Sequence, residues 1–97
     1  MILQAAESDL LQHVHYLRES NASEEVVRGF LDGAEEAVKR IERNPETWSF
    51  ARGSRRVRKV QIARFRVQVF YRVRQDGTPV ILEFAGAGLQ PRWSERL

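Results

Sequence analysis

Residues 65–74 read FRVQVFYRVR. Phe65, Val67, Val69, Tyr71 and Val73 alternate with Arg66, Gln68, Phe70, Arg72 and Arg74, the period of two expected when successive side chains leave opposite faces of a strand. One face is set for burial and the other for charge. Gln75-Asp76-Gly77 follows as a turn in which Gly77 can take a positive φ, and Val80 to Phe84 then supplies the next strand. Val57 to Ile62 supplies the strand before it. The result is an antiparallel sheet of three strands, with Pro79 expected at a strand's start or on an open edge, because it has no N–H to give a ladder.

Upstream of Trp48 the period changes to that of a helix. Val27, Phe30, Leu31, Ala34, Val38 and Ile41 form one stripe, with Asn21 or Ser23 as cap, Glu24 and Glu25 in the first turn, and Lys39, Arg40 and Arg43 in the last. Asn44-Pro45 stops it. Leu10, Leu11, Val14 and Leu17 mark an earlier amphipathic helix of about three turns from Ser8, its cap, with Asp9 in its first turn. The short link at Asn21-Ala22-Ser23 makes the two an antiparallel hairpin. Met1 to Gln4 leaves room for a short N-terminal edge strand, and one helical turn is expected around Trp93. The fold class is therefore α+β: a helical hairpin packed on one face of a twisted three-stranded antiparallel sheet.

Charge is unevenly spread. Thr47 to Gln75 holds nine basic residues and no acid, namely Arg52, Arg55, Arg56, Arg58, Lys59, Arg64, Arg66, Arg72 and Arg74, whereas residues 1–46 hold ten acids against five bases. The net charge of +3 conceals this. A solvated sheet face is the bland explanation of such a run; an anionic counterpart, or electrostatic steering of an acidic protein segment, is the functional one.

The chain of 97 residues is expected to form a single domain, with 42% apolar and 30% charged residues as in ordinary globular proteins. With no cysteine, disulfides and thiolate metal sites are excluded. No apolar run reaches the roughly 20 residues that span a bilayer, and a cytoplasmic location is expected. His13 and His15 point to different helix faces, so they cannot chelate one metal together. No metal or organic cofactor is implied. Trp48 and Trp93 read first as packing anchors, and Tyr71 as a core residue.

The order of elements, together with particular words, resembles the RelE/ParE family of bacterial toxins from type II toxin-antitoxin pairs, also known as plasmid stabilisation proteins. The words are Asp9-Leu10, the Phe30 to Ile41 stripe ending in Arg43-Asn44-Pro45, Arg64-Phe65, Phe70-Tyr71-Arg72-Val73 before Asp76-Gly77, and the terminal Pro91, Arg92, Trp93 and Arg96. They span nearly the whole chain. Three features depart from the family: a shorter first strand, Phe65-Arg66-Val67 where many members read Phe-Pro-Tyr, and Gly86-Ala87-Gly88-Leu89 where many have a histidine and two arginines.

The resemblance implies a toxin held in check by a cognate antitoxin, which typically lays an extended or helical segment on the toxin. Leu10, Val14, Phe30 and the edge strands are the expected antitoxin contacts, in a toxin-antitoxin hetero-oligomer. RelE-like members are ribosome-dependent ribonucleases, a chemistry that needs a proton acceptor, a proton donor and cations for the phosphorane-like charge. Arg58, Lys59, Arg64 and Arg72 are the candidates for that role. ParE-like members inhibit DNA gyrase by binding, which requires surface and not a proton-transfer pair, so the loss of the histidine-arginine segment favours the ParE-like reading. The expected target- or anion-binding residues are Arg58, Arg64, Arg66, Arg72, Arg74, Arg92, Trp93 and Arg96. A non-toxic binding module of the same fold is the remaining alternative.

Overall fold

A computed structural model describes residues 1–86 and 88–97. Its first helix, α1, spans Gln4–Glu19 and so begins four residues before the expected cap at Ser8. Leu3 is the N-cap and makes no side-chain bond. The start is instead fixed from outside: Met1 and Leu3 are hydrogen-bonded through their backbones to Ile81, and Ala5 and Ala6, strong helix formers, continue directly. The C-terminus closes with Asn21 in the left-handed region at φ 61°. There Ala22 N–H donates to Leu17 O and Asn21 N–H to Arg18 O, the paired bonds of a Schellman ending. The next helix, α2, spans Glu24–Arg43, with the Ser23 hydroxyl accepting from Val26 N–H.

The sheet comprises β1 (Val57–Gln61), β2 (Val67–Val73) and β3 (Pro79–Gly86) in the order β1-β2-β3, antiparallel throughout. Phe65 and Arg66, expected inside the second strand, belong to the β1–β2 turn, where Arg64 has φ 69°. The β2–β3 turn is the expected one, with Gly77 at φ 89° and Thr78 N–H donating to Asp76. Between Phe70 and Tyr71 the register slips, leaving Leu82 of β3 without a partner on β2. The N-terminal edge strand reduces to a single parallel bridge, Ile2 to Ile81, on the outer side of β3. Pro79 opens β3 and its carbonyl accepts from the N-terminal ammonium. Among the described residues no helix is long and apolar enough to cross a membrane.

The helices and the sheet enclose one core from Ala6 and Val14 of α1, Val27, Phe30, Ala34, Ala37 and Ile41 of α2, and the helix-facing strand residues Val60, Val69, Tyr71, Ile81 and Phe84. Two leucines assigned to the helix stripes are exposed instead, Leu11 at 68% and Leu31 at 40%, and the small Ala6 and Ala37 take core positions. Alanines there let the helix backbones approach their neighbours. Gly33 goes further: a Cβ on it would lie 2.8 Å from Cγ2 of the fully buried Ile62, whereas one on Gly29 meets nothing within 4 Å. Gly29→Ala should therefore raise stability by about 0.5–1 kcal/mol through helix propensity alone. Gly33→Ala makes the same backbone gain, but it forces a β-branched methyl aside at roughly 1–3 kcal/mol, so it should be destabilising. Urea midpoints of the two variants on opposite sides of the parent are the expected result.

The face of the sheet away from the helices differs from expectation. The alternation sets it for charge, yet its centre is a second apolar cluster of Ala51, Val57, Phe70, Val80, Leu82 and Ala85, with Trp93 packed over it. Trp93 opens a short 3-10 helix, η1 (Trp93–Arg96), and stacks on Phe70 with ring centroids 6.5 Å apart. Burying Phe70 displaces the positive charge to the two ends of the sheet.

Candidate anion-binding site

The first of these ends is built by an arm preceding β1. Lys59 N–H donates to Ser49 O and Ala51 N–H to Val57 O, so Ser49 to Ala51 runs beside the start of β1. The link between them, Arg52-Gly53-Ser54-Arg55-Arg56, is a shaped turn: Gly53 has φ 77°, and the Ser54 hydroxyl accepts from both Arg56 N–H and Val57 N–H. This sets Arg55 and Arg56 beside Arg58 and Arg72, and the four arginines line one cleft of about 240 Å³ with Glu46, Phe50 and Val73.

Each side chain is held differently. Arg58 stands opposite Tyr71 on β1, donates through Nη1 to Trp48 O at 2.6 Å, and lies over the Phe50 ring at 4.0 Å. Its direction is thus fixed by a carbonyl and an aromatic face. Arg72 stands opposite Val57, on the other face of the sheet, and its Nε is buried with no hydrogen-bond partner among the described residues. Arg55 and Arg56 are exposed. A cleft with four guanidinium groups and one carboxylate suits phosphate or carboxylate groups, which guanidinium forks bind bidentately.

The remaining expected residues do not join this cleft. Arg64 and Arg66 sit at the opposite end of the sheet, six strand residues or about 20 Å away. Arg66 and Arg92 line a separate groove beside α1. Arg74 lies at the end of β2, 3.9 Å from Asp76, and Lys59 is half-buried opposite Phe70. Two more of the expected residues are engaged within the fold. Arg96 is an internal ion pair: Nη1 and Nη2 reach Asp9 of α1 at 2.6 and 3.2 Å, and Nη1 also donates to Leu82 O. Trp93 is a cover for the second cluster. Among the expected antitoxin contacts, Val14 and Phe30 are core residues, 7% and 1% exposed, and Leu10 is partly buried against the same core. The part of the altered C-terminal segment that falls on Ala87 lies outside the described residues.

Burial also decides which groups near the site can exchange protons. Tyr71 is fully buried, its hydroxyl donates to Pro45 O, and burial pushes its pKa up to about 12 despite the opposing pull of Arg58. It is a core residue, as its place on the helix-facing side implied, and it stays protonated at neutral pH. Since its pKa in the folded protein lies above the ordinary value near 10, its stabilising effect is complete below pH 10 and is lost as pH rises toward 12. Tyr71→Phe should remove that alkaline loss. At pH 7 it should cost about 1–2 kcal/mol, because Pro45 O loses its donor. Unfolding curves at pH 7 and across pH 10–12 check both. Glu83 is buried on the opposite face, where desolvation raises its pKa while the Arg92 N–H, donating to Oε1 at 2.8 Å, opposes the shift. Among the described residues no three histidine, aspartate or glutamate side chains are placed to hold a metal ion.

Five residues of the cleft escaped the reading of the sequence as site members: Glu46, Phe50, Arg55, Arg56 and Val73. The word RGSRR at 52–56 carried a usable signal, since Gly-Ser between extended segments marks a turn that would bring flanking arginines back beside the strand. No protein-family model matches the chain, and no curated protein matches it at a significant level.

Proposed function

We propose that this protein is the toxin of a type II toxin-antitoxin pair, of the RelE/ParE kind and ParE-like in action, which binds and inhibits DNA gyrase and is neutralised by a cognate antitoxin. The observation that carries this reading is the convergence of Arg55, Arg56, Arg58 and Arg72 on one cleft. The α+β scaffold beneath it is the one that the sequence resemblance implies. The cleft offers a fixed positive surface, and Arg58 is held in place by Trp48 O and Phe50 before any partner arrives. Such preorganisation favours binding, because less side-chain freedom is lost on contact.

One observation favours a second reading, a RelE-like ribonuclease. Glu46 lines the same cleft as the four arginines, so a carboxylate able to accept a ribose hydroxyl proton lies near cations able to stabilise a phosphorane. A proton donor for the leaving oxygen is the missing part, Tyr71 being committed to Pro45 O.

Induction of the chain in a bacterial host, with supercoiling and translation followed in parallel, tests both. Arrest with inhibited supercoiling and intact mRNA is the expected result. Arrest with mRNA cleavage that Glu46→Gln abolishes would replace it with the nuclease, and unchanged growth would overturn both.

A further inference from the structure

The segment that joins α2 to the arm of β1 forms one wall of the arginine cleft, and it brings an acid with it. Thr47 N–H donates to Asn44 O, closing a turn with Pro45 and Glu46 as its central residues. Glu46 lines the cleft with Arg55, Arg56, Arg58 and Arg72. It is exposed, yet it forms no ion pair with any of the four among the described residues. An unrestrained carboxylate beside four guanidinium groups would be drawn onto them. Something holds it off.

The restraint is visible on both sides of Glu46. Arg58 and Tyr71 stand opposite each other on β1 and β2, so their side chains leave the same face of the sheet. The Tyr71 hydroxyl donates to Pro45 O at 2.5 Å, and Arg58 Nη1 donates to Trp48 O at 2.6 Å. Two neighbouring side chains thus grip the loop just before and just after Glu46. The Trp48 ring adds a third hold. It packs against the main core, its Nε1 donates to Arg40 O of α2 at 3.4 Å, and the Arg40 guanidinium lies 5.7 Å from the ring centroid.

The grips differ in what happens when the cleft is filled. Arg58 is itself a cleft residue, so an anion that engages it competes with Trp48 O. Tyr71 is fully buried and does not line the cleft, so its bond to Pro45 O persists with an anion in place.

We infer that Tyr71 is a positioning residue of the arginine cleft: by fixing Pro45 it keeps Glu46 from folding onto the guanidinium groups and neutralising them. Glu46 is a built-in competitor for the cleft, and an arriving anion meets free cations because that competitor is held away. This rests on the cleft being the anion-binding surface of the proposed function, and it adds the group that keeps the surface open.

The test is calorimetric titration of the protein with inorganic pyrophosphate at neutral pH and low salt, for the parent, Tyr71→Phe, Glu46→Gln and the double variant. Val14→Ala, a core truncation on α1, is the control for lost stability alone. An ion pair formed at an exposed site should weaken pyrophosphate about threefold to fivefold in Tyr71→Phe. Glu46→Gln should recover that loss, with a larger gain in the Tyr71→Phe background than in the parent. Val14→Ala should bind as the parent does. Unchanged affinity in Tyr71→Phe, the same gain from Glu46→Gln in both backgrounds, or an equal loss in Val14→Ala would each overturn the proposal. A parent that binds no pyrophosphate at millimolar concentration would overturn the cleft reading and this inference with it. A parent that binds, with no rescue by Glu46→Gln, would leave the cleft reading standing and remove the role of Tyr71.

Discussion

Asp9→Ala should cost about 3–5 kcal/mol, the largest effect of any single substitution considered for this fold. The carboxylate accepts three hydrogen bonds, two from Arg96 and one from Phe84 N–H, and the two charged side chains are only 18% and 15% exposed. Removing it strands a half-desolvated guanidinium and a backbone donor on the edge of β3. A domain of this size has only about 5–15 kcal/mol in total, so the variant should lie close to unfolding at room temperature. Asp9→Asn keeps an acceptor for Phe84 N–H and should fall between. Arg96→Ala should cost less than Asp9→Ala, and the double substitution less than the sum of the two, because the second change no longer leaves a charge unpaired. Urea unfolding of the four proteins gives the cycle. A coupling below about 0.5 kcal/mol would mean that the pair behaves as a surface ion pair and that the tail is held by Trp93 and by the Arg92 N–H bond to Glu83.

That pair also explains what could be read in the sequence and what could not. Local rules succeeded wherever the deciding partner was near in the chain: Ser23 caps α2, Gly77 takes its positive φ, and Tyr71 is buried on the helix-facing side. They failed where the partner was remote. Ala5 and Ala6 extend α1 past Ser8 because the bridge between Ile2 and Ile81 fixes the chain's entry. Arg96 reads as one more cation until its partner 87 residues away is known. Phe70 among the polar positions of β2 was the visible exception in the alternation. It marks a second apolar surface, whose cover arrives with Trp93.

The words that carry the family resemblance are mostly scaffold for the same reason. Asp9 and Arg96 tie the first helix to the tail, Trp93 covers Phe70, and Asp76-Gly77 makes the turn. They specify a fold, and fold alone does not specify a target. The candidate cleft depends instead on Arg55 and Arg56, which lie outside those words. Arg64 offers the opposite lesson: nothing in an arginine announces the left-handed conformation it adopts, which the closure of the β1–β2 turn imposes.

If the protein acts as the proposed toxin, Arg55→Glu with Arg56→Glu should abolish its growth arrest while leaving the fold intact. Both side chains are exposed and neither forms an ion pair among the described residues. The turn that carries them is shaped by Gly53 and the Ser54 hydroxyl, so stability should change by no more than about 0.5 kcal/mol. The local charge, however, falls by four. Beside Arg58 and Arg72 that converts an attractive cleft into one where added carboxylates neutralise the guanidinium groups. Loss of two charge-assisted contacts at about 1.5–3 kcal/mol each corresponds to an affinity loss of a hundredfold or more. If the bound partner is a single-stranded nucleic acid, the slope of log affinity against log salt should also flatten by about 0.7 for each lost phosphate contact. Arg28→Glu, on the exposed side of α2, makes the same change in net charge as Arg55→Glu and serves as the control for non-specific steering. Equal loss of activity from Arg28→Glu and Arg55→Glu would show that overall charge, and not this cleft, recruits the target. Full activity in the double variant would exclude the cleft.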